Sequence, residues 1–209
     1  MTAILCFGDS ITYGESDCLD GGWVSLLLKH FLRLERNGLK QETLVYNLGI
    51  ASETTDGLKL RFNNELESRT RNKEITHVIL SYGINDLVIH KNKNKVPVQY
   101  FERNLSACIE FAKEKNVNVI LNSILPIRKS LDGIPSQHGD LRNIIDIKSY
   151  NQSLQKLAEE FDCVFNDLSE CFESQKEELI YGTDGIHPTS LGHQLIYQKV
   201  IQLFDAVTL

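Results

Sequence analysis

The 209-residue chain contains nothing close to the ~18 consecutive apolar residues that a membrane-spanning helix needs. No integral membrane association is therefore expected. It also has no basic cluster beyond "HKNKNK" at 90–95, and its formal net charge is −6. Nucleic acid is thus not an expected partner, and an anionic membrane would find no polybasic anchor. The 90–95 stretch itself reads as a solvated loop. No C-x-x-C motif occurs. Cys6, Cys18, Cys108, Cys163 and Cys171 are an odd, unclustered set, best read as reduced thiols in a cytoplasmic protein. Cys6, Cys108 and Cys163 sit in apolar runs and read as core filler. The opening "MTAILCFG" lacks the basic start, long apolar stretch and cleavage site of a secretory signal. Repeats, low-complexity tracts and linker-like segments are missing as well, so 1–209 is expected to be a single domain.

What is present is an ordinary globular composition, 42% apolar and 24% charged, arranged as short apolar runs between amphipathic ones. "AILCFG" (3–8), "TLVYNLG" (43–49), "THVILSYG" (76–83), "VNVILNSI" (117–124) and, more weakly, "CVFND" (163–167) read as buried strands. Their hydrophobicity is mostly continuous rather than alternating, as in a parallel sheet covered on both faces. Helical spacing occupies 23–38, 52–69, 97–116, 148–161 and about 189–206. Within these, Ser52 could cap the second helix, and Pro97 is well placed for a first turn. The last helix carries Leu195, Ile196, Val200, Ile201 and Phe204. Strands alternating with helices predict an α/β fold with right-handed crossovers. The longest irregular stretch, 126–146, follows the fourth strand and is expected to border the site.

Ligands of open parallel sheets bind beyond the carboxyl ends of the strands. Ser10 follows the first strand, Gly49 ends the second, and Gly83 and Asn85 follow the third. Asp184 and His187 precede the last helix. A serine hydroxyl is a weak nucleophile without an adjacent base. His187 is the natural base, and Asp184, three residues before it, can hold the imidazole tautomer and stabilise its cation. Backbone N–H groups at Ser10 and Gly49 and the Asn85 amide could receive an oxyanion. Each residue also has a plainer reading: Ser10 as a helix cap, Asn85 as a turn residue, His187 as a surface residue before Pro188. Only their convergence argues for chemistry. The G-x-S-x-G elbow of ordinary α/β-hydrolases is missing, as are the P-loop and dinucleotide fingerprints.

Together the motifs resemble the SGNH hydrolase family, the GDSL-like esterases and lipases. "FGDSIT" is similar to its first block, "NLGIASETT" to its second, "YGINDL" to its third and "DGIHPTSLG" to its last. The resemblance implies a flavodoxin-like, three-layer α/β/α sandwich with a central five-stranded parallel sheet. It implies Ser10 as nucleophile, Asp184 and His187 as its partners, and Ser10, Gly49 and Asn85 as oxyanion donors. It implies no metal and no organic cofactor, and a small-molecule ester substrate cleaved through an acyl-enzyme. One departure stands in the second block, which often carries a further glycine where this chain has Ser52. An ester with a short, acetyl-type acyl group is the expected substrate; lysophospholipids and acyl thioesters stay open. A catalytically silent ligand-binding module is the reading of another class.

Overall fold

The computed structural model describes residues 1–39, 42–70, 75–137 and 139–205. Position 206 of the expected last helix and His138 of the 126–146 stretch lie outside the described residues.

Five strands form one parallel sheet: β1 (Thr2–Gly8), β2 (Thr43–Gly49), β3 (Ile75–Ser81), β6 (Asn118–Asn122) and β7 (Val164–Asn166). Their order is β2-β1-β3-β6-β7. The chain therefore goes outward from β1 to β2, then crosses back to β3 on the other side. That reversal opens a crevice at the carboxyl ends of β1 and β3. Register is fixed along the whole length of β1, with Gly8 opposite Gly49 on one side and Ser81 on the other.

Alternate residues of β1, β3 and β6 enter two separate cores, which is why their runs are continuously apolar. Ala3, Leu5 and Phe7 of β1, Val78 and Leu80 of β3, and Leu121 of β6 face one side. There they meet α3 (Thr55–Arg69), α4 (Val98–Glu114) and α5 (Ile144–Glu160) through Leu58, Phe62, Phe101 and Leu154. Ile4, Cys6, Ile79 and Ile120 face the other side, against Trp23, Leu27 and Phe31 of α2 (Trp23–Arg36) and Ile196 and Val200 of α8 (Ser190–Asp205), which follows the short α6 (Ser169–Glu173) and α7 (Glu177–Ile180). This is the expected three-layer α/β/α arrangement. Cys6 and Cys108 are buried, Cys163 and Cys171 half-buried and Cys18 exposed; all five are free.

Several local expectations need correction. Ser52 does not cap α3. It stands in the left-handed region at φ 62°, and the helix starts after Thr54. Pro97 occupies the cap position rather than the first turn of α4. The helix expected from 148 begins at Ile144, because the Asp132 carboxylate accepts a hydrogen bond from the Ile144 N–H at 2.8 Å. That bond comes from twelve residues upstream, while Asn143 at the cap position makes no side-chain bond to the helix N–H groups. The 90–95 stretch is no open loop. β4 (Ile89–His90) and β5 (Lys93–Asn94) form a hairpin through left-handed Lys91 and Asn92, a backbone suited to a tight hairpin turn. Asp140 clamps it, accepting from His90 Nδ1 at 2.7 Å and Lys95 Nζ at 3.2 Å. The 126–146 stretch contains a short 3₁₀ turn at Lys129–Leu131 and pairs Leu141 with Ile89.

Candidate active site

The chain leaves β1 at Gly8 and turns at once into α1 (Ser10–Tyr13). A side chain at position 8 would strike Thr12 Oγ1 at 2.1 Å and the Ser81 carbonyl at 2.9 Å, so the turn requires glycine. The cap is Asp9, not Ser10: Asp9 Oδ1 accepts from the Ile11 N–H at 2.9 Å. Ser10 is thereby left as the first residue of the helix, with its hydroxyl uncommitted to the backbone. No hydrogen bond involves its N–H among the described residues.

The Ser10 Oγ lies 2.8 Å from His187 Nε2. His187 sits in a turn closed by its own partner. Asp184 Oδ1 accepts from the Ile186 and His187 N–H groups, both at 3.0 Å, and Oδ2 meets His187 Nδ1 at 2.5 Å. Burial pulls the Asp184 carboxyl upward, but the hydrogen bonds from His187 and the two N–H groups outweigh it and hold the group below the usual carboxylate range. An ionised Asp184 can only accept, so Nδ1 carries the imidazole proton. Nε2 is then the acceptor for the Ser10 O–H.

This turn is anchored from both sides. The Gly182 N–H donates to the His187 carbonyl at 2.8 Å, and Arg128 donates to the carbonyls of Tyr181 and Gly182 at 3.3 and 3.2 Å. On the far side, Asp17 accepts from Ser190 Oγ at 2.5 Å and from the N–H groups of Leu19, Asp20 and Gly22. Burial opposes ionisation of Asp17, yet these four donors lower it to about 2. The Asp17 carboxylate thus ties the loop after α1 to the start of α8. Sequence reasoning missed Asp17, since it sits in no motif.

Opposite His187, the loop after β2 is fixed by Glu53. Arg61 holds the Glu53 carboxylate with Nε at 2.8 Å and a terminal nitrogen at 2.6 Å, and the Tyr82 O–H donates to it at 2.6 Å. The Glu53 carbonyl accepts from Asn85 Nδ2 at 3.1 Å. Asn85 is held again at its oxygen by Arg142, at 3.4 Å, which also donates to the Ile84 carbonyl at 2.9 Å. One of the two Asn85 amide protons stays available. Asp86, beside it in the third motif, accepts from Thr55 N–H at 2.9 Å and Thr55 Oγ1 at 2.5 Å and so docks the start of α3.

Gly49 is placed differently from expectation. Its N–H donates to Asn47 Oδ1 at 3.0 Å, and a side chain there would lie 2.2 Å from the Tyr13 nitrogen. The glycine is needed for packing β2 against α1, and its N–H is already engaged. Left-handed Ser52, next to Glu53, instead has an N–H with no partner among the described residues.

Beneath the nucleophile, Asp9 and Asp86 are almost wholly buried. Burial raises Asp9 to about 7, and the nearby Asp86 charge adds to this against the pull of Ile11, His187 and Arg142. Asp86 is raised by burial to about 6 despite its Thr55 bonds. Among the described residues, no group of three or more His, Cys, Asp or Glu could hold a metal ion. No helix is long and apolar enough to cross a membrane among them.

The sequence model of the GDSL-like Lipase/Acylhydrolase family matches residues 6–195. No curated protein matches the chain. Solved structures do. A lipase/acylhydrolase from Enterococcus faecalis is 24% identical over 99% of this chain and 96% of its own, with a TM-score of 0.77. A member of the lipolytic protein G-D-S-L family from Veillonella parvula is 22% identical over 98% and 99%, with a TM-score of 0.73. An acetylxylan esterase from Geobacillus stearothermophilus is 21% identical over 96% and 92%, with a TM-score of 0.72. At these identities the likeness is one of fold.

Proposed function

The chain belongs to the GDSL-like Lipase/Acylhydrolase family, and from that premise we propose that this carboxylic ester hydrolase works as a serine esterase with Ser10, His187 and Asp184 as its catalytic triad. The observation that carries the proposal is the continuous relay from Ser10 Oγ through His187 to Asp184, at 2.8 and 2.5 Å. As Ser10 Oγ attacks the ester carbonyl, His187 Nε2 takes the hydroxyl proton. The carbonyl oxygen becomes an oxyanion, received by the Ser10 N–H and Asn85 Nδ2. The Ser52 N–H supplies the third donor, a role expected of Gly49, whose N–H is held by Asn47. When the intermediate collapses, Nε2–H returns its proton to the departing alcohol oxygen and leaves an acyl group on Ser10. Water, deprotonated by the same nitrogen, then attacks the acyl-enzyme. Throughout, Asp184 keeps the imidazole oriented and balances its transient charge.

The proposed substrate is a soluble ester with a short acyl group. Acetylxylan esterases stand among the similar folds, in keeping with acetyl. Kinetics on p-nitrophenyl esters from acetyl to palmitoyl, with acetylated xylo-oligosaccharides alongside, test the assignment. Highest kcat/KM on the shortest esters is the expected result; a maximum at long chains would overturn the acyl assignment.

A further inference from the structure

We propose that Glu15 sets the charge preference for the departing alcohol, favouring cationic and disfavouring anionic ones. The inference rests on the esterase reading above and names a residue no motif contains. Glu15 Oε2 lies 3.7 Å from His187 Nε2, the atom that protonates the departing alcohol. The alcohol oxygen must come within hydrogen-bond reach of that same nitrogen. Its substituent therefore leaves the site beside the Glu15 carboxylate.

The backbone that carries this side chain is fixed at both its polar groups. The Glu15 N–H donates to the Ser10 carbonyl at 2.9 Å, and the Glu15 carbonyl is bonded to His193 Nε2 at 3.2 Å. His193 is fully buried, and burial holds it below its ordinary value, in the neutral form. Both ends of residue 15 are thus fixed within the framework that carries the nucleophile. The Glu15 side chain is 47% exposed, so its carboxylate is open to an incoming substrate. Arg142, a cation of the site, is engaged by the Ile84 carbonyl and the Asn85 side-chain oxygen.

An ammonium a few ångströms from a half-exposed carboxylate gains modestly, and a sulfonate or phosphate loses by a similar amount. Solvent screening limits each effect to about three- to tenfold in rate.

Three acetate esters of matched size test this: acetylcholine, its neutral carbon counterpart neohexyl acetate, and the anionic acetyl isethionate. All three yield the same acetyl-enzyme, so deacylation is common and kcat/KM reports the step in which the alcohol leaves. Comparing ratios between wild type and Glu15→Gln cancels intrinsic differences among the alcohols. The expected wild-type order is cationic, neutral, anionic. Glu15→Gln should shrink the cationic-to-anionic ratio by about tenfold or more, Glu15→Lys should invert it, and Glu15→Asp should restore most of it. Equal ratios in wild type and Glu15→Gln, with the neutral ester still turned over, would overturn the Glu15 assignment and leave the esterase reading standing. Failure to hydrolyse any of the three would overturn both.

Discussion

Ser10 Oγ and His187 Nε2, 177 positions apart in the chain, stand 2.8 Å from each other. Two turns with unrelated internal bonding produce this contact. Asp9 caps one, and Asp184 closes the other. Asp184 thus has a structural task besides the catalytic one proposed for it, and the two are separable. Asp184→Asn keeps an oxygen for the Ile186 and His187 N–H groups but favours the wrong imidazole tautomer. It should fold normally and lose about 10²–10⁴ in kcat. Ser10→Ala and His187→Ala should be strongly non-additive, because both remove the same step. Steady-state kinetics on the two single variants and the double variant measures this, and fully multiplicative losses would assign the residues to separate tasks.

The proposed oxyanion donors differ in kind. Asn85→Ala should lower kcat by about 10²–10³ and change KM little, since its free amide proton matters most as charge develops. Ser52 acts through its backbone. Ser52→Gly relieves a left-handed serine and should keep activity while raising stability by about 0.5–1 kcal/mol. Ser52→Pro removes the N–H and cannot reach φ 62°, so kcat should fall sharply. Denaturant midpoints and kcat on the three variants check both halves. An unchanged kcat in a folded Asn85→Ala protein would remove Asn85 from the site.

Stability should fall between about pH 4 and pH 7. Asp9, raised to about 7, and Asp86, raised to about 6, bind protons in the folded state that the unfolded chain has already released. Their contribution is complete below the ordinary carboxylate value of about 4 and is lost as pH rises through the folded values. Asp17, lowered to about 2, acts in the opposite sense, with its contribution lost as pH falls toward that value. Asp9→Asn keeps an acceptor for the Ile11 N–H and removes the larger titration. Its thermal midpoint should be flatter than wild type from pH 4 to 7 and higher at pH 7. Parallel pH profiles for the two proteins would contradict the assignment.

The 126–146 stretch reaches the site from the side of the acid. Its Arg128 holds the Tyr181 and Gly182 carbonyls, and its Arg142 holds Asn85. Leu131, Ile134, Arg142, Asp184 and Ile186 line a cleft of about 190 Å³ between the stretch and the His187 turn. Bridging 133–139 with a short Gly-Ser link should leave both arginines in place and change the ratio of kcat/KM between short and long acyl esters. An equal effect on every ester would mean that the segment does not set specificity.

The central sheet is legible because its inner strands β1 and β3 bury both faces, which leaves continuous apolar runs at 3–8 and 76–83. β7 was weak in sequence for a physical reason: it is a three-residue edge strand with exposed Val164. Ser10, Asn85, Asp184 and His187 were legible as members of short motifs, and the fold brings Ser10, His187 and Asp184 into one relay. What could not be read was the set of residues that position them. Glu53, Arg61 and Tyr82 meet across three elements, and Asp17 reaches Ser190 across 173 positions. Such partners share no periodicity. Gly49 was misjudged because a glycine at a strand end suits close packing as well as ligand approach, and only the Asn47 bond distinguishes them. Left-handed Ser52 did leave a signal, the missing glycine of the second motif.

The most direct test of the account is covalent. Treatment with a serine-directed fluorophosphonate, followed by intact-mass spectrometry and peptide mapping, should give one adduct per chain, located on Ser10. The adduct should be absent in Ser10→Ala and form far more slowly in His187→Ala, where Oγ has lost its base. A wild-type protein left unlabelled while remaining folded, or an adduct that persists in Ser10→Ala, would contradict the claim that Ser10 is the nucleophile of this fold.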